Sequence, residues 1–214
     1  MIPGPANILT CPFCRGKKEV MSLISGNTFG ATVWSDTRRE YPMLPEVSPI
    51  QKCPHCNRYY FVEQAGMEQS EDPSSHCFEL GKLGYIELEE AYGQFSQLSL
   101  NPMQRWILNH QIFMAYNDAF RRHPETVAFP PSIDDESFYA QIVDELLNGI
   151  DKSPDFELFH AELLREIGRF EEAAKVLSGH TEEDDKWVVE AMMRHIETED
   201  SNPFLLIKDG EQIH

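Results

Sequence analysis

Two short cysteine pairs constrain this chain more than any other feature of its sequence. Cys11-Pro-Phe-Cys14 and Cys53-Pro-His-Cys56 share the Cys-x-x-Cys spacing, and 38 residues separate Cys14 from Cys53. Four thiolates in two such pairs can surround one tetrahedral metal ion at about 2.3 Å. We therefore predict a single metal site whose ligands are Cys11, Cys14, Cys53 and Cys56.

Zinc is the metal that four sulfur ligands favour here, and iron bound by the same sulfurs is the alternative. Four identical protein ligands leave no position for water or substrate, so the predicted role is structural and no catalytic residue is assigned. Disulfides are disfavoured because the start of the chain carries no export signal. A thioredoxin-type redox pair would need a βαβ context that the sequence lacks. Cys77 is assigned to no site.

The two Cys-x-x-Cys loops, separated by a long excursion, resemble the zinc-ribbon and rubredoxin-like families. The resemblance covers the N-terminal part of the chain and implies a small β-rich fold around the metal. Glycine often follows the second cysteine of each pair in those families, whereas Arg15 and Asn57 stand there in this chain. We expect Asn57 to adopt the left-handed backbone conformation, and Gly16 to supply it one position later in the first loop.

The flanking sequence agrees with a β-rich N-terminal domain. Residues 28–35 and 57–62 are rich in β-branched and aromatic side chains and predict strands, whereas three prolines within 41–49 predict a loop. The polar stretch 68–75 has little to pack and marks a boundary. We predict a zinc-ribbon domain over residues 1–66 and a helical domain over residues 67–214.

The apolar period changes to that of helices after this boundary. The predicted helices cover residues 85–98, 102–122, 134–149, 155–167, 170–178 and 183–199. The expected fold class is therefore α+β, with a small rubredoxin-like ribbon followed by an all-α module.

One helical pair has a recognisable turn. The pattern Ala161, Leu164, Gly168, Phe170, Ala173 and Leu177 resembles the turn between the two helices of a tetratricopeptide repeat. It occurs once, and the resemblance implies helical-hairpin packing. A ribbon placed before such helices is similar to a class of bacterial zinc-ribbon proteins.

The charge is distributed unevenly along the chain. Its 18 basic and 36 acidic residues give a net charge of −18, yet residues 1–60 carry +3. Zinc tetrathiolate would bring −2 to that segment, and the acidic helices would repel a phosphate backbone. We therefore expect a protein partner rather than nucleic acid. The sequence contains no membrane-spanning stretch, and we expect a cytoplasmic location.

Two further groups of residues were candidates for function. Glu157 and His160 have the Glu-x-x-His spacing of di-iron helical bundles, but no second copy accompanies them, so we interpret His160 as a packed or surface residue. A mixed aromatic and charged group in the excursion is a candidate partner surface, with coverage of the small core as the alternative; it comprises Trp34, Asp36, Arg38, Arg39 and Tyr41.

Together these features predict a non-catalytic, intracellular protein-interaction or adaptor protein with a structural zinc site. The alternatives are a rubredoxin-like iron redox protein and a nucleic-acid-binding zinc ribbon. The sequence leaves the partner and the oligomeric state open.

Overall fold

The computed structural model describes residues 2–44, 48–71, 82–123, 138–149, 156–208 and 211–212. In these ranges short antiparallel strands are followed by six α-helices, which confirms the α+β class. The chain divides into two compact units: Met1–Gly30 with Tyr41–Leu108, and Ala31–Glu40 with Asn109–His214. The division between residues 66 and 67 stays a prediction.

The N-terminal strands are two to four residues long. They are β1 (Ile2–Pro3), β2 (Asn7–Thr10), β3 (Lys17–Val20), β4 (Leu23–Ser25), β5 (Thr32–Val33), β6 (Arg39–Glu40), β7 (Ile50–Lys52), β8 (Tyr59–Phe61) and β9 (Gly66–Gln69). The predicted strand over 57–62 is confirmed as β8. The strand predicted over 28–35 is wrong in length, because Gly30 takes a left-handed φ of 71° before β5 and a turn with Thr37 at φ 71° follows it.

The first unit contains two β-hairpins that matter for the site. β2 pairs with β3 and with β9 in a three-stranded antiparallel sheet, so that Thr10 lies opposite both Lys17 and Gly66. β7 pairs with β8, with Lys52 opposite Tyr59. Each hairpin therefore places one Cys-x-x-Cys pair in the loop between its two strands.

The helices are α1 (Tyr85–Phe95), α2 (Pro102–Arg122), α3 (Phe138–Gly149), α4 (Glu157–Glu166), α5 (Phe170–Gly179) and α6 (Lys186–Glu197). All six predicted helices are found, although residues 134–137 lie outside the described ranges. α2 begins with a reciprocal cap, since Asn101 Oδ1 accepts the Gln104 N–H at 2.8 Å and Gln104 Oε1 accepts the Asn101 N–H at 3.2 Å. None of the described helices has the length and apolar character needed to cross a membrane.

α1 packs on the second β-hairpin of the first unit. The rings of Phe61 and Phe95 stack with their centroids 4.8 Å apart. The Gln94 side-chain amide accepts the Tyr59 N–H at 2.9 Å and donates to the Tyr59 carbonyl at 2.8 Å. Because it bonds both the N–H and the carbonyl of Tyr59, the Gln94 amide takes the place that a neighbouring strand would have beside β8.

In the second unit, α4 and α5 form the predicted helical hairpin. Gly168 lies in the turn with φ 75°, a conformation that glycine adopts without steric cost. Ala161 and Ala173 are fully buried in a core cluster that also contains Leu164 and Leu177. The small side chains allow the two helices to approach closely at their crossing.

The second unit also contains the β5–β6 hairpin, which lies between the cysteine pairs in sequence. Its outer edge pairs with the C-terminal segment, because the Ser35 N–H donates to the Phe204 carbonyl at 2.9 Å and the Leu206 N–H donates to the Val33 carbonyl at 2.8 Å. The Phe204 N–H donates to Ser35 Oγ at 3.0 Å. Two short strands, β10 (Ile207–Lys208) and β11 (Glu211–Gln212), pair antiparallel after this segment.

The buried side chain of His180 connects the end of α5 with α4 and with the residue before α6, and makes the stability of the second unit depend on pH. His180 follows α5, and its ring nitrogens face Glu157 at 2.9 Å and Asp185 at 3.2 Å. Burial lowers the pKa of His180, but the two carboxylates outweigh it and raise the pKa above its ordinary value. The stabilisation is therefore complete below the ordinary pKa of about 6.5 and is lost as the pH rises through the raised value.

We predict that His180→Gln removes this pH dependence. The free energy of unfolding of the wild type should fall by about 1 kcal/mol between pH 6 and pH 9, a modest value because both carboxylates are partly exposed. Chemical denaturation followed by circular dichroism measures it at each pH. His123→Gln, at an exposed position, should keep the wild-type slope; equal slopes in wild type and His180→Gln would contradict the assignment.

Candidate metal centre

The two cysteine loops have the same backbone hydrogen bonds. In each, the first cysteine donates its N–H to the carbonyl five residues later and accepts, at its own carbonyl, the N–H of the residue four positions later. From the donor N to the acceptor carbonyl O, the four distances are 2.9 Å from Cys11 to Gly16, 3.1 Å from Arg15 to Cys11, 2.9 Å from Cys53 to Arg58 and 2.9 Å from Asn57 to Cys53. The loops are thus two copies of one turn.

The left-handed residue of each turn follows the second cysteine directly. Arg15 has φ 63° and Asn57 has φ 57°. The expectation for Asn57 is confirmed, whereas the expectation that Gly16 would supply this conformation is wrong. The register of the hydrogen bonds decides the outcome, because both turns need the positive φ at the residue four positions after their first cysteine.

Gly16 is required for a different reason, namely contact between the two loops. A Cβ atom at Gly16 would lie 2.3 Å from His55 Cδ2, so the imidazole occupies the space of a side chain. His55 Nε2 also lies 3.0 Å from the Lys17 carbonyl. In the reciprocal contact, the Arg58 guanidinium lies 5.1 Å from the centre of the Phe13 ring. Each loop therefore packs its third residue on the other.

The four sulfur atoms converge. All four Sγ atoms lie within 4.8 Å of one another, with Cys11 and Cys56 3.8 Å apart and Cys14 and Cys53 3.6 Å apart. A regular tetrahedron of sulfurs about 2.3 Å from a central ion has edges of about 3.8 Å. A disulfide would need about 2.05 Å, and the four cysteines are free thiols. The geometry fits one tetrahedral metal ion.

Backbone donors surround these sulfurs. The N–H groups of Phe13, Gly16 and His55 each lie 3.4 Å from a cysteine Sγ. Such bonds stabilise the thiolate form, which is the form that binds a metal. They follow directly from the turn, since each donor lies two residues after the cysteine that accepts.

Hydrogen bonds between the thiols couple their ionisation. Burial opposes ionisation of Cys53, but N–H groups of Cys56 and His55 and the neighbouring thiols lower its pKa to about 7. At Cys14 the Gly16 N–H favours the thiolate, yet desolvation and the three other cysteines raise the pKa to about 12. Burial and the four cysteines together raise the pKa of Tyr60 to about 12. A bound cation would favour the thiolate form of all four cysteines.

The structure brings together all four ligands predicted from the sequence. Within the described ranges they form the one group of three or more Cys, His, Asp or Glu side chains close enough to share an ion. The donor set fits zinc and iron alike, and the identity of the metal stays a prediction. Cys77 lies outside the described residues. Glu157 contacts His180.

Two of the five residues in the candidate partner surface, Asp36 and Arg38, are buried. Asp36 is fully buried and Arg38 is 8% exposed, so these side chains are not available to a partner. Asp36 instead contacts Asn117 and Arg121 of α2 within the second unit. Sequence reasoning missed this contact because it joins residues about eighty positions apart and no local pattern signals it.

Comparison with known proteins identifies no relative. No family model, no curated protein and no solved structure matches this chain. The geometry of the metal centre is therefore the basis for a functional proposal.

We predict that the protein binds one metal ion per chain through the four cysteines. Cys53→Ser should lose the ion and the structure of both loops, because the three remaining thiolates cannot complete the tetrahedron. Mass spectrometry under native conditions and elemental analysis measure the content. Acidification from pH 8 to pH 5 should release the ion, since protons compete for the thiolates. Cys77→Ser is the matched control and should keep the metal; retention by Cys53→Ser would refute the site.

We also predict that Gly16→Ala weakens metal binding about tenfold or more, because the new Cβ would displace the His55 ring and move the second loop. Competition with a chelator of known affinity measures the change. Gly66→Ala is the control in the same unit, since its Cβ would meet Thr10 at an ordinary 3.4 Å. Equal affinities for the two variants would contradict the packing role of Gly16.

Proposed function

We propose that the chain is an intracellular protein-interaction or adaptor protein, with a structural zinc ion in its rubredoxin-like N-terminal part and a tetratricopeptide-like surface on its helices. The observation that carries this proposal is the closed set of four cysteine sulfurs, all within 4.8 Å of one another. Zinc in such a set has no position left for water or substrate. The metal then acts by holding the fold, and binding of a partner is left to other surfaces.

A structural metal suits the small size of the N-terminal elements. Among the described residues up to 69, none of the nine strands exceeds four residues, and strands this short provide little pairing energy of their own. Zinc bound by cysteines contributes about 10 to 16 kcal/mol of apparent free energy in small domains. Free thiols rather than disulfides fit a reducing compartment.

The helical part offers a groove for a partner. A cavity of about 480 Å³ lies between α3, α4 and α5, and Leu147, Leu164 and Val176 are its apolar lining residues. Leu164 is 3% exposed and the other two are partly buried, so the floor of the groove belongs to the core. An apolar floor with polar groups around it is typical of sites that bind peptides or small molecules.

Charged side chains of both signs line the same groove. Arg169 forms a two-pronged ion pair with Glu172, with distances of 2.7 and 2.6 Å, and Asp144, Lys175 and the imidazole of His160 also line the groove. The hydrogen bond from Arg169, together with the charges of Arg169 and Lys175, lowers the pKa of Glu172 although its desolvation opposes this. Alternating charges favour a peptide segment that itself carries both signs over a uniformly negative phosphate backbone.

The lysines beside the cysteines also support a protein partner over nucleic acid. Lys17 Nζ lies 3.4 Å from Glu68, and Lys52 Nζ lies 3.2 Å from Glu90. These ammonium groups are paired with carboxylates of the same unit, which weakens them as phosphate contacts. Lys18 Nζ donates to Gln51 Oε1 at 2.9 Å.

Iron at the same four sulfurs is the second candidate, with electron transfer as its function. The N–H donors to three of the sulfurs favour it, because hydrogen bonds to sulfur tune the reduction potential of iron–sulfur sites. Metal analysis and an absorption spectrum separate the two candidates, since ferric tetrathiolate absorbs visible light and zinc tetrathiolate does not.

We predict that Lys175→Glu reduces capture of a partner from native cell extract at least fivefold, because it reverses one charge in the groove. Proteins retained by the immobilised full chain are identified and quantified by mass spectrometry. Lys186→Glu is the matched control, since Lys186 is also an exposed lysine, located in α6 and paired with Glu183. Equal retention by both variants would remove the groove from the proposal, and absence of any retained protein would remove the adaptor function.

A further inference from the structure

The β5–β6 hairpin occupies an unusual place in the chain. It lies between Cys14, the last ligand of the first loop, and Cys53, the first ligand of the second. Residues 31–40 nevertheless belong to the second unit, whereas both connecting segments, residues 15–30 and 41–52, belong to the first. Binding of a metal would close the loop from Cys14 to Cys53. The middle of this loop, residues 31–40, belongs to the second unit.

Asp36 fixes the hairpin in that position. Its side chain is fully buried, and Oδ2 accepts hydrogen bonds from Asn117 Nδ2 at 2.9 Å and from Arg121 Nη1 at 2.8 Å. Oδ1 accepts the backbone N–H of Arg38 at 3.1 Å, which holds the turn of the hairpin. A buried carboxylate without these donors would be strongly unfavourable, so the hairpin has one favourable place on α2.

The contacts of Asp36 continue into the helices of the second unit. Asn117 Nδ2 also donates to both oxygens of Glu166 in α4 at 3.1 Å. The Tyr139 hydroxyl donates to Glu166 Oε2 at 2.9 Å. A different set of contacts holds the other side of the hairpin, where Ser35 exchanges hydrogen bonds with Phe204. Docking of the hairpin is therefore specified by directional bonds on two sides.

We propose that Asp36 is a positioning residue for the metal centre, raising the affinity of the four cysteines for their ion by holding the excursion between them. This inference rests on the metal site in the proposed function. Bringing Cys14 and Cys53 together closes a loop, and closure costs conformational entropy. When the hairpin is docked, the excursion has already lost much of that freedom, so the ion binds with less further ordering.

Linkage makes the effect reciprocal. If docking of the hairpin raises metal affinity by some factor, metal binding stabilises the docked hairpin by the same factor. Coupling of this kind commonly amounts to about 5-fold to 150-fold. A residue with a purely local role in the second unit would affect neither quantity.

The test compares Asp36→Asn with Glu40→Gln in the full-length protein. Both variants remove one negative charge from the hairpin, but Glu40 is exposed and accepts a 3.3 Å hydrogen bond from the Thr32 hydroxyl. Zinc affinity is measured by competition with a chromophoric chelator. We expect affinity to fall about tenfold in Asp36→Asn and less than twofold in Glu40→Gln.

Hydrogen exchange of residues 31–40 provides the second readout. Zinc should slow this exchange in the wild type and should not do so in Cys53→Ser. If the wild type binds no zinc, the proposed metal site itself fails. If the wild type binds zinc but Asp36→Asn has the same affinity, Asp36 does not position the site, whether or not its hairpin exchanges faster.

A milder variant keeps the test decisive if Asp36→Asn loses its helical circular dichroism. Ser35→Ala removes the bond from the Phe204 N–H and leaves the buried carboxylate intact. It should lower zinc affinity about threefold and accelerate exchange in the hairpin. Faster exchange with unchanged zinc affinity in this variant would overturn the coupling.

Discussion

Ionisation of four closely spaced thiols is the constraint on which the metal centre of the first unit depends. The pKa of Cys53 is lowered to about 7 while that of Cys14 is raised to about 12, so the cluster cannot become fully ionised by itself near neutral pH. A cation removes the conflict, since it needs all four thiolates at once. The β2–β3 and β7–β8 hairpins meet through this shared requirement, and the contacts of His55 and Phe13 place the loops for it.

Groups of like charge also lie close together in the second unit, where guanidinium groups offset carboxylates. A network of charged side chains, all buried or nearly so, connects the β5–β6 hairpin, α2 and α4; it comprises Asp36, Asp118, Glu162, Glu166, Arg38, Arg121 and Arg165. Burial, with Glu162 and Asp36 nearby, raises the pKa of Glu166 well above its ordinary value. Four carboxyl groups thus face three guanidinium groups, and hydrogen bonds from Asn117 and Tyr139 satisfy the oxygens of Glu166.

The features that sequence reasoning predicted well are those encoded locally. The four ligands follow from the Cys-x-x-Cys spacing, the helices follow from periodic apolar residues, and Gly168 marks the turn between α4 and α5. The features it missed depend on contacts distant in sequence. Local sequence favours Gly16 for the left-handed φ of its turn, whereas the structure requires glycine there because the His55 ring of the other loop fills the space of a side chain.

The environment of the β5–β6 hairpin also depends on residues that are distant in sequence. Trp34, Asp36 and Arg38 read as a mixed aromatic and charged loop, which is the composition of a recognition surface. Their true neighbours are Arg121, whose guanidinium lies 4.9 Å from the centre of the Trp34 ring, and Asp118, 3.5 Å from Arg38. Both lie in α2, and the residues of α2 that face the hairpin carry no signal of their own. Local composition therefore could not distinguish a buried ion network from an exposed one.

The hydrogen bonds of Gln94 at the edge of β8 affect the tendency of the protein to aggregate at high concentration. A strand with unpaired N–H and carbonyl groups along its edge is a template on which another chain can add a strand. In β8 the Gln94 amide occupies both backbone groups of Tyr59, and Gln64 Oε1 accepts the Phe61 N–H at 3.4 Å. Two side-chain amides thus cover the edge of a hydrophobic Tyr-Tyr-Phe strand, and in doing so they protect the chain from aggregation through it.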